Sequence, residues 1–420
     1  MHDWDAIVVG AGAAGLLAAA RAAERGRKTL LLEKNRRPGV KILMSGGTRC
    51  NLTQATDERG IVKAFGKQGK FLHSALAALS PAHLVALMEA EGVLTKTEPT
   101  GKIFPVSDKA ADVLAALLRR LERSGCVLST AESVSSVERH DGQFRISTEH
   151  RTVTANSLAI TTGGCSYPGC GTTGDGYHWA ATFGHTVIPA RPALVPLETN
   201  LAWVHDLKGV TVADVGIAVK QRAAGESSPA SAQSGQPLAS KRGSFLFTHF
   251  GLSGPAVLDV SRAITGHPQP ATLDLICDFL PGQTDATFDQ KLRHDAAAAG
   301  KKPALAILCD ELPRRLVDAL LDLAEIPRDL RCAELGNAAR TRLMRVFKHC
   351  RIPVTGTLGF KKAEVTAGGI SLAEVDSRSM QSRTVPNLYL AGEVLDLDGP
   401  IGGYNFQAAF STGWLAGESL

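Results

Sequence analysis

The sequence is poor in aromatic residues, with 14 Phe, 4 Tyr and 4 Trp among 420 positions. Its eight cysteines, at 50, 126, 165, 170, 277, 309, 332 and 350, include no C-x-x-C pair and no regular spacing. That excludes a zinc ribbon and a disulfide framework, and points to reduced thiols in the cytoplasm. The uncharged run 6–20 is broken by three glycines and falls short of the roughly 20 residues a membrane span needs. The residues before it, Met1-His2-Asp3-Trp4-Asp5, are acidic rather than basic, so no targeting segment is expected. No internal repeat occurs. Lys and Arg number 46 against 41 Asp and Glu, a net charge of +5. So mild an excess permits an anionic partner without demanding one.

What the chain has instead is glycine, 42 of 420 residues, against an average usage of about 7%. No G-x-y period accompanies it, so collagen is excluded and the glycines need local explanations. The length suggests two or three domains. Residues 5–9 are an apolar run, followed by a glycine turn, an Ala/Leu-rich helical stretch to Glu24, and a second apolar run at 29–32. This order is a βαβ unit. Helices are predicted over 81–91 and 109–124, and strands over 126–129, 144–148 and 157–161. After Pro189 strands are predicted at 210–219 and 244–248, around a flexible Ala/Ser/Gly/Gln/Pro-rich loop at 223–236. Residues 281–350 carry helical Leu/Ala periodicity. The expected fold is α/β: a Rossmann-like domain from both chain ends, 1–189 and 352–420, interrupted by a strand-rich insert at 190–280 and a helical one at 281–351.

Gly10-Ala11-Gly12-Ala13-Ala14-Gly15 follows a strand and opens a helix, the context of a dinucleotide fingerprint. Gly10 permits the turn, Gly12 lets backbone approach a pyrophosphate, and Gly15 lets helix and strand pack; the helix N-terminus faces the phosphates. Glu33, at the end of the second strand, can accept ribose hydroxyl hydrogen bonds. FAD and NAD share this fingerprint, and three other segments favour FAD. Residues 36–51 read as a long polar, glycine-bearing loop able to follow a ribityl chain. The strand at 157–161 ends in Thr161-Thr162-Gly163-Gly164. A late strand ends in Gly392-Glu393, and Gly402-Gly403-Tyr404-Asn405-Phe406-Gln407 opens the last helix, whose N-terminus can stabilise charge on a reduced ring.

The series Ser45-Gly46-Gly47-Thr48-Arg49-Cys50-Asn51, Ser166-Tyr167-Pro168 with residues 171–177, residues 247–256, Val365-Thr366-Ala367-Gly368-Gly369 and residues 392–407 resembles the BaiN/YhiN-type flavoproteins, also called the aminoacetone oxidase family of FAD-binding enzymes. The resemblance runs from end to end. It implies a glutathione-reductase-like FAD domain, with a β-barrel and a helical insert. It also implies cofactor contacts from Gly10, Gly12, Ala13, Ala14, Gly15, Glu33, Lys34, Lys41, Ser45, Gly46, Gly47, Asn51, Val134, Thr162, Gly163, Gly164, Gly392, Glu393, Asp396, Gly403, Tyr404, Asn405 and Phe406. The sequence departs from the family's pattern at Thr48, where a third glycine is more usual, and at Ser379, where Thr is.

Two features imitate other sites. Residues 169–174 match G-x-G-x-x-G in letters, but lie well beyond their strand and follow Pro168, so they are expected to line the flavin cavity. Cys165 and Cys170 have the C-x4-C spacing of a redox pair, but Pro168 between them disfavours the helix such pairs occupy. Cys50, placed against the flavin by the resemblance, and His249, in a strand–turn–helix segment, are the candidate acid–base residues. No metal site is expected. Arg331, Arg340, Arg342, Arg345, Lys348, His349 and Arg351 form a basic stretch where an RNA substrate's phosphates would be contacted.

The expected activity is FAD-dependent hydride transfer between flavin N5 and a substrate bound between FAD domain and insert, with NAD(P)H as a transient donor visiting the same cavity in ping-pong fashion. The substrate is a small molecule or ribosomal RNA. Reduction of a ribosomal uridine to dihydrouridine, oxidation of a small amine by oxygen, and a non-catalytic flavin-bound sensor remain alternatives.

Overall fold

A computed structural model describes residues 3–222 and 236–420, so the loop expected at 223–236 lies, except for Gln236, outside the described residues. The chain divides into two units, residues 1–192 with 364–420, and residues 193–363.

The first unit is built on a mixed sheet in the order Val127–Ser129, Thr29–Leu32, Trp4–Val9, Thr152–Ile160, Gln143–Thr148, Val134–His140. The first four strands are parallel, and Leu388–Leu390 adds a fifth alongside the end of Thr152–Ile160. Trp4–Val9 is central and covered on both faces. That explains why Ala6, Ile7, Val8 and Val9 form an unbroken apolar run rather than an alternating one. The helix Ala13–Glu24 is apolar nearly all round for the same reason. It is covered by the final helix Tyr404–Ser419, and a Cβ on Gly413 would lie 2.2 Å from the Ala14 carbonyl oxygen. Alanine and glycine are thus what close helix–helix approach requires.

Residues 36–51 are not all loop: Val40–Thr48 is helical until Ser45, where the chain turns left-handed at Gly46 and Gly47. The glycines and polar residues concealed this short apolar turn of Val40, Ile42 and Leu43. Pro189 lies within a strand, Val187–Ala193. Gln68–Ala90 is long and apolar enough to cross a membrane by composition. It is nevertheless three successive helices, broken at Leu79, whose carbonyl accepts from Gln407 Nε2 and Ser411 Oγ inside the core.

Near the end of Thr29–Leu32, Glu132 is buried and receives a two-pronged Arg151 guanidinium (2.8 and 2.9 Å), with Ser129 and Thr148 hydroxyls adding donors. The Arg151 hydrogen bonds lower its carboxyl to about 2, from an ordinary 4.5. A depressed carboxylate stabilises the fold above its unfolded value and loses that contribution as pH falls toward its folded one. Arg151→Ala is therefore expected to cost roughly 1–3 kcal/mol at pH 7 by stranding the buried carboxylate. The cost should shrink between pH 4.5 and 2. Urea unfolding of both proteins across that range checks it; a pH-independent difference would contradict this assignment.

The second unit carries an antiparallel sheet in the order Cys350–Pro353, Leu273–Asp278, Thr211–Gln221, Ala239–Thr248, Gly251–Ser253, Leu197–Glu198, Gly356–Thr357. The two outermost strands are joined by Val354 and Thr355 alone. Val354 N–H donates to Leu273 and Thr355 N–H to Glu198, on opposite sides of the sheet. So short a link requires the sheet to curl until its edges nearly meet. Phe245, Phe247 and Leu252 line the interior with the helix Pro255–Thr265. The helices between 285 and 348 share that core, with Phe288 against Phe347 at 5.8 Å.

Candidate functional site

The carboxyl ends of Trp4–Val9, Thr29–Leu32, Thr152–Ile160 and Leu388–Leu390 open onto one crevice, where an open α/β sheet binds its ligand. The glycine turn leaves Trp4–Val9 there. A Cβ on Gly15 would sit 1.9 Å from the Gly10 carbonyl oxygen and 2.5 Å from Thr161 Oγ1, so only hydrogen fits. A Cβ on Gly12 would meet nothing within 4 Å. Gly12 is therefore dispensable to the protein's own packing and marks space beside the N–H groups of Ala13, Ala14 and Gly15 at the helix start. Glu33 Oε2 accepts the Ala11 N–H (2.8 Å), while Oε1 accepts the backbone and side-chain N–H groups of Asn35. The carboxylate is thereby fixed at its strand end. Glu33 and Asn35 carbonyls in turn bond Glu132 and Ala131 N–H groups, bringing the start of strand Val134–His140 alongside.

On the other side, Thr162, Gly163 and Gly164 follow Thr152–Ile160, and the Thr162 hydroxyl is buried with no hydrogen-bond partner. Glu393 comes from the end of Leu388–Leu390 beside Gly392. Its Oε2 accepts from Lys41 Nζ at 2.5 Å; its Oε1 accepts from Ser166 Oγ (2.8 Å) and Thr366 N–H (2.7 Å). Lys41 also donates to Ser166 Oγ, and Thr366 Oγ1 accepts the N–H groups of Cys165 and Ser166. The result is a neutral, cross-braced cluster from four segments. Lys34 pairs with Asp175 and Thr173, tying the strand end to the helix Asp175–Thr182.

The last helix begins at Gly403. With its amide oriented to satisfy both ends, Asn51 accepts the Gly403 N–H (2.9 Å) and donates to the Ile103 and Thr53 carbonyls. Asn405 closes the preceding turn through Gly399 and Pro400. Asp396 N–H donates to Ile370, and its carbonyl accepts from Gln68. Tyr404 and Phe406 occupy the helix's first turn. A glycine-lined helix start, a fixed carboxylate at the second strand's end, an orphaned hydroxyl and a second helix N-terminus together fit an extended dinucleotide such as FAD.

The HI0933-like protein Rossmann domain family matches residues 4–419. The chain belongs to this family. Three curated relatives span it almost completely. A protein of Escherichia coli named ribosomal RNA dihydrouridine synthase is 35% identical over 100% of this chain and 98% of its own. A Haemophilus influenzae protein of the same name is 31% identical over 99% and 98%. A 3-dehydro-bile acid delta(4,6)-reductase of Clostridium scindens is 30% identical over 98% of each. Among solved structures, Sdh1 of Mycobacterium smegmatis in its apo complex shares the fold at TM-score 0.51 and 16% identity, covering 100% of this chain and 68% of that one. The 3-ketosteroid delta1-dehydrogenase of Sterolibacterium denitrificans does so at 0.51 and 14%, covering 99% and 98%. This HI0933-like chain is an FAD-dependent oxidoreductase with a Rossmann-type FAD-binding domain.

Every expected cofactor residue of this HI0933-like chain lies in the first unit, most of them around the crevice; His249 belongs to the second. Cys50 is fully buried, and burial pushes its thiol up to about 12, so it stays protonated. Cys165 and Cys170 are free thiols, both raised by burial. Residues 169–174 form a short turn before the helix Asp175–Thr182, with no strand feeding them. Among the described residues no group of three or more His, Cys, Asp or Glu is placed to hold a metal.

The basic stretch is mostly internal wiring. Arg340 pairs with Asp289, Arg342 with the Ala324 carbonyl, and His349 with Asp285. Lys348 and Arg351 are buried against Asp278 and Asp274. Several of its charges are thus paired within the second unit, while Arg331 is exposed. Ser166 and Thr366 were missed as site residues: both lie in quoted motifs, but nothing in their spacing announces that they converge on Glu393.

Thr48 has φ +71, a left-handed conformation that costs a non-glycine residue about 1–2 kcal/mol. Thr48→Gly is expected to stabilise the protein by about 0.5–1 kcal/mol, part of the relief being offset by glycine's greater unfolded freedom. Thermal unfolding checks this; a lower midpoint for the variant would contradict it.

Proposed function

We propose that the chain reduces the carbon–carbon double bond of a uridine in ribosomal RNA, with NAD(P)H as donor, in the cytoplasm. The observation that carries this reading is the end-to-end similarity to two relatives bearing the dihydrouridine synthase name. That the third relative is named a reductase supports the reaction class.

FAD, when bound, supplies the hydride equivalent and recovers it from NAD(P)H. The chain's own residues hold and orient it. The N–H groups of Ala13, Ala14 and Gly15 would hold the pyrophosphate, and Glu33, whose Oε2 accepts only the Ala11 N–H, would accept from a ribose hydroxyl. Lys41 balances the Glu393 charge, so the carboxylate would not oppose the negative charge of a reduced ring. The N-terminus of Tyr404–Ser419 favours that negative charge. Reduction of a double bond conjugated to a carbonyl adds hydride to the carbon distal to the carbonyl and a proton to the nearer one. His249, exposed in its turn, is the proposed proton donor. Cys50, buried and protonated, is assigned to packing beneath residues 45–49.

Mapping dihydrouridine in ribosomal RNA from a strain lacking the gene tests the reading. Loss of the modification at a discrete position, restored by the wild-type gene, is expected. An unchanged map would overturn the RNA substrate.

A further inference from the structure

In the first unit, the helix Glu58–Ala64 is followed by a left-handed turn at Gly66 and a tighter helical segment, Gln68–Leu72. Ile61, Phe65 and Leu72 are buried beneath them, while Arg59, Lys63, Lys67 and Lys70 are exposed. Arg59 and Lys63 stand one helical turn apart on one face. Lys67 and Lys70 are likewise one turn apart, in backbone that winds three residues per turn. A Cβ on Gly69 would lie 1.9 Å from the Val62 carbonyl oxygen, so the two helical segments pack directly against each other.

Little offsets this charge. From Arg59 to Met88 the sequence has no Asp or Glu. Asp57 and Glu58 precede the patch, and Asp57 is engaged at the helix start, where it accepts the Gly60 N–H at 2.8 Å. Among the described residues, none of the four cations has an ion-pair or side-chain hydrogen-bond partner. The basic stretch of the second unit differs, since Arg340, Lys348 and Arg351 are paired with aspartates. Like charges one turn apart destabilise a helix, so the fold gains nothing from this arrangement. The patch also borders the cofactor crevice. Gln68 Nε2 donates to the Asp396 carbonyl (2.7 Å), and a Cβ on Gly399 would lie 2.8 Å from the Phe65 ring. Asp396 and Gly399 belong to the segment running from Glu393 to Gly403, so the backbone that carries the cations also supports that side of the crevice.

We propose that Arg59, Lys63, Lys67 and Lys70 form the surface on which the phosphate backbone of an RNA substrate docks. The proposal rests on the uridine reading above. Exposed ammonium and guanidinium groups neutralise phosphates without reading sequence, so they position the strand while the crevice selects the base. An anionic membrane fits less well. Among the described residues, no large apolar side chain is exposed between 59 and 88 to enter lipid.

The test measures dihydrouridine formation by the flavin-loaded full-length protein on ribosomal RNA from the deletion strain, over a series of salt concentrations. The triple variant Lys63→Gln, Lys67→Gln, Lys70→Gln should raise KM for RNA at least about tenfold at about 0.15 M salt. It should also flatten the slope of log KM against log salt by about two to three, the share of three phosphate contacts. Flavin content and melting temperature should stay at wild-type values. A matched triple, Arg293→Gln, Arg314→Gln, Arg328→Gln, removes the same charge from exposed positions of the second unit and should leave KM within about twofold. Equal losses in the two triples would mean that RNA responds to overall charge alone, and overturn the inference. A lysine triple with wild-type KM and salt slope also overturns it and leaves the uridine reading standing, as does such a triple that has lost binding only to phosphatidylserine vesicles. Wild-type protein that reduces a small molecule but no RNA overturns both.

Discussion

Replacing Gly12 with valine is expected to lower FAD affinity about 100-fold, or about 2.7 kcal/mol, while leaving the apoprotein as stable as wild type. Gly12 has φ −86 and ψ −167, extended backbone that valine adopts readily, and its Cβ direction is empty to 4 Å. The added bulk therefore meets nothing of the protein and fills the space where backbone must approach a pyrophosphate. Gly15→Ala provides the contrast. Its Cβ would overlap the Gly10 carbonyl oxygen at 1.9 Å. Helix and turn must separate, with an expected loss of at least about 3 kcal/mol in the apoprotein itself. Calorimetry with FAD and thermal unfolding without it distinguish a cofactor glycine from a packing glycine. If Gly12→Val bound FAD normally, the crevice would be wrongly assigned.

The second large effect is expected at Lys41. Removing its ammonium leaves Glu393, whose side chain is 17% exposed, holding a charge that Ser166 and Thr366 only partly compensate. Lys41→Met should cost roughly 2 kcal/mol, less than for a fully buried pair because water reaches the lysine, and should weaken FAD retention. Glu393→Gln alone should cost less. The double variant should recover about 1–2 kcal/mol relative to the sum, since the stranded charge is then gone. Additive losses in a double-mutant cycle would mean that the two side chains do not act as a pair.

Local chemistry made the Rossmann half legible in the sequence. Ile7, Val8 and Val9 before the glycine turn, the Ala-rich helix after it, and Glu33 at the second strand's end each carry a signal that needs no distant partner. The helix Val40–Thr48 was hidden because Gly46 and Gly47 read as loop, although the chain turns left-handed only at its far end. The Lys41–Glu393 bridge spans 352 residues, and Ser166 joins it through geometry alone. The strands Leu197–Glu198 and Gly356–Thr357 are two residues each, too short for any alternation to register. The basic run at 331–351 shows the reverse: composition displays its charge, while the aspartates that pair with Arg340, Lys348 and Arg351 lie far away in sequence.

Anaerobic spectroscopy of the flavin-loaded protein tests the central claim most directly. NADH or NADPH should bleach the flavin, and unmodified ribosomal RNA should then restore its absorbance with about one dihydrouridine formed per flavin reoxidised. Bleaching by a small amine alone, or a reduced flavin that ribosomal RNA leaves unchanged, would contradict it.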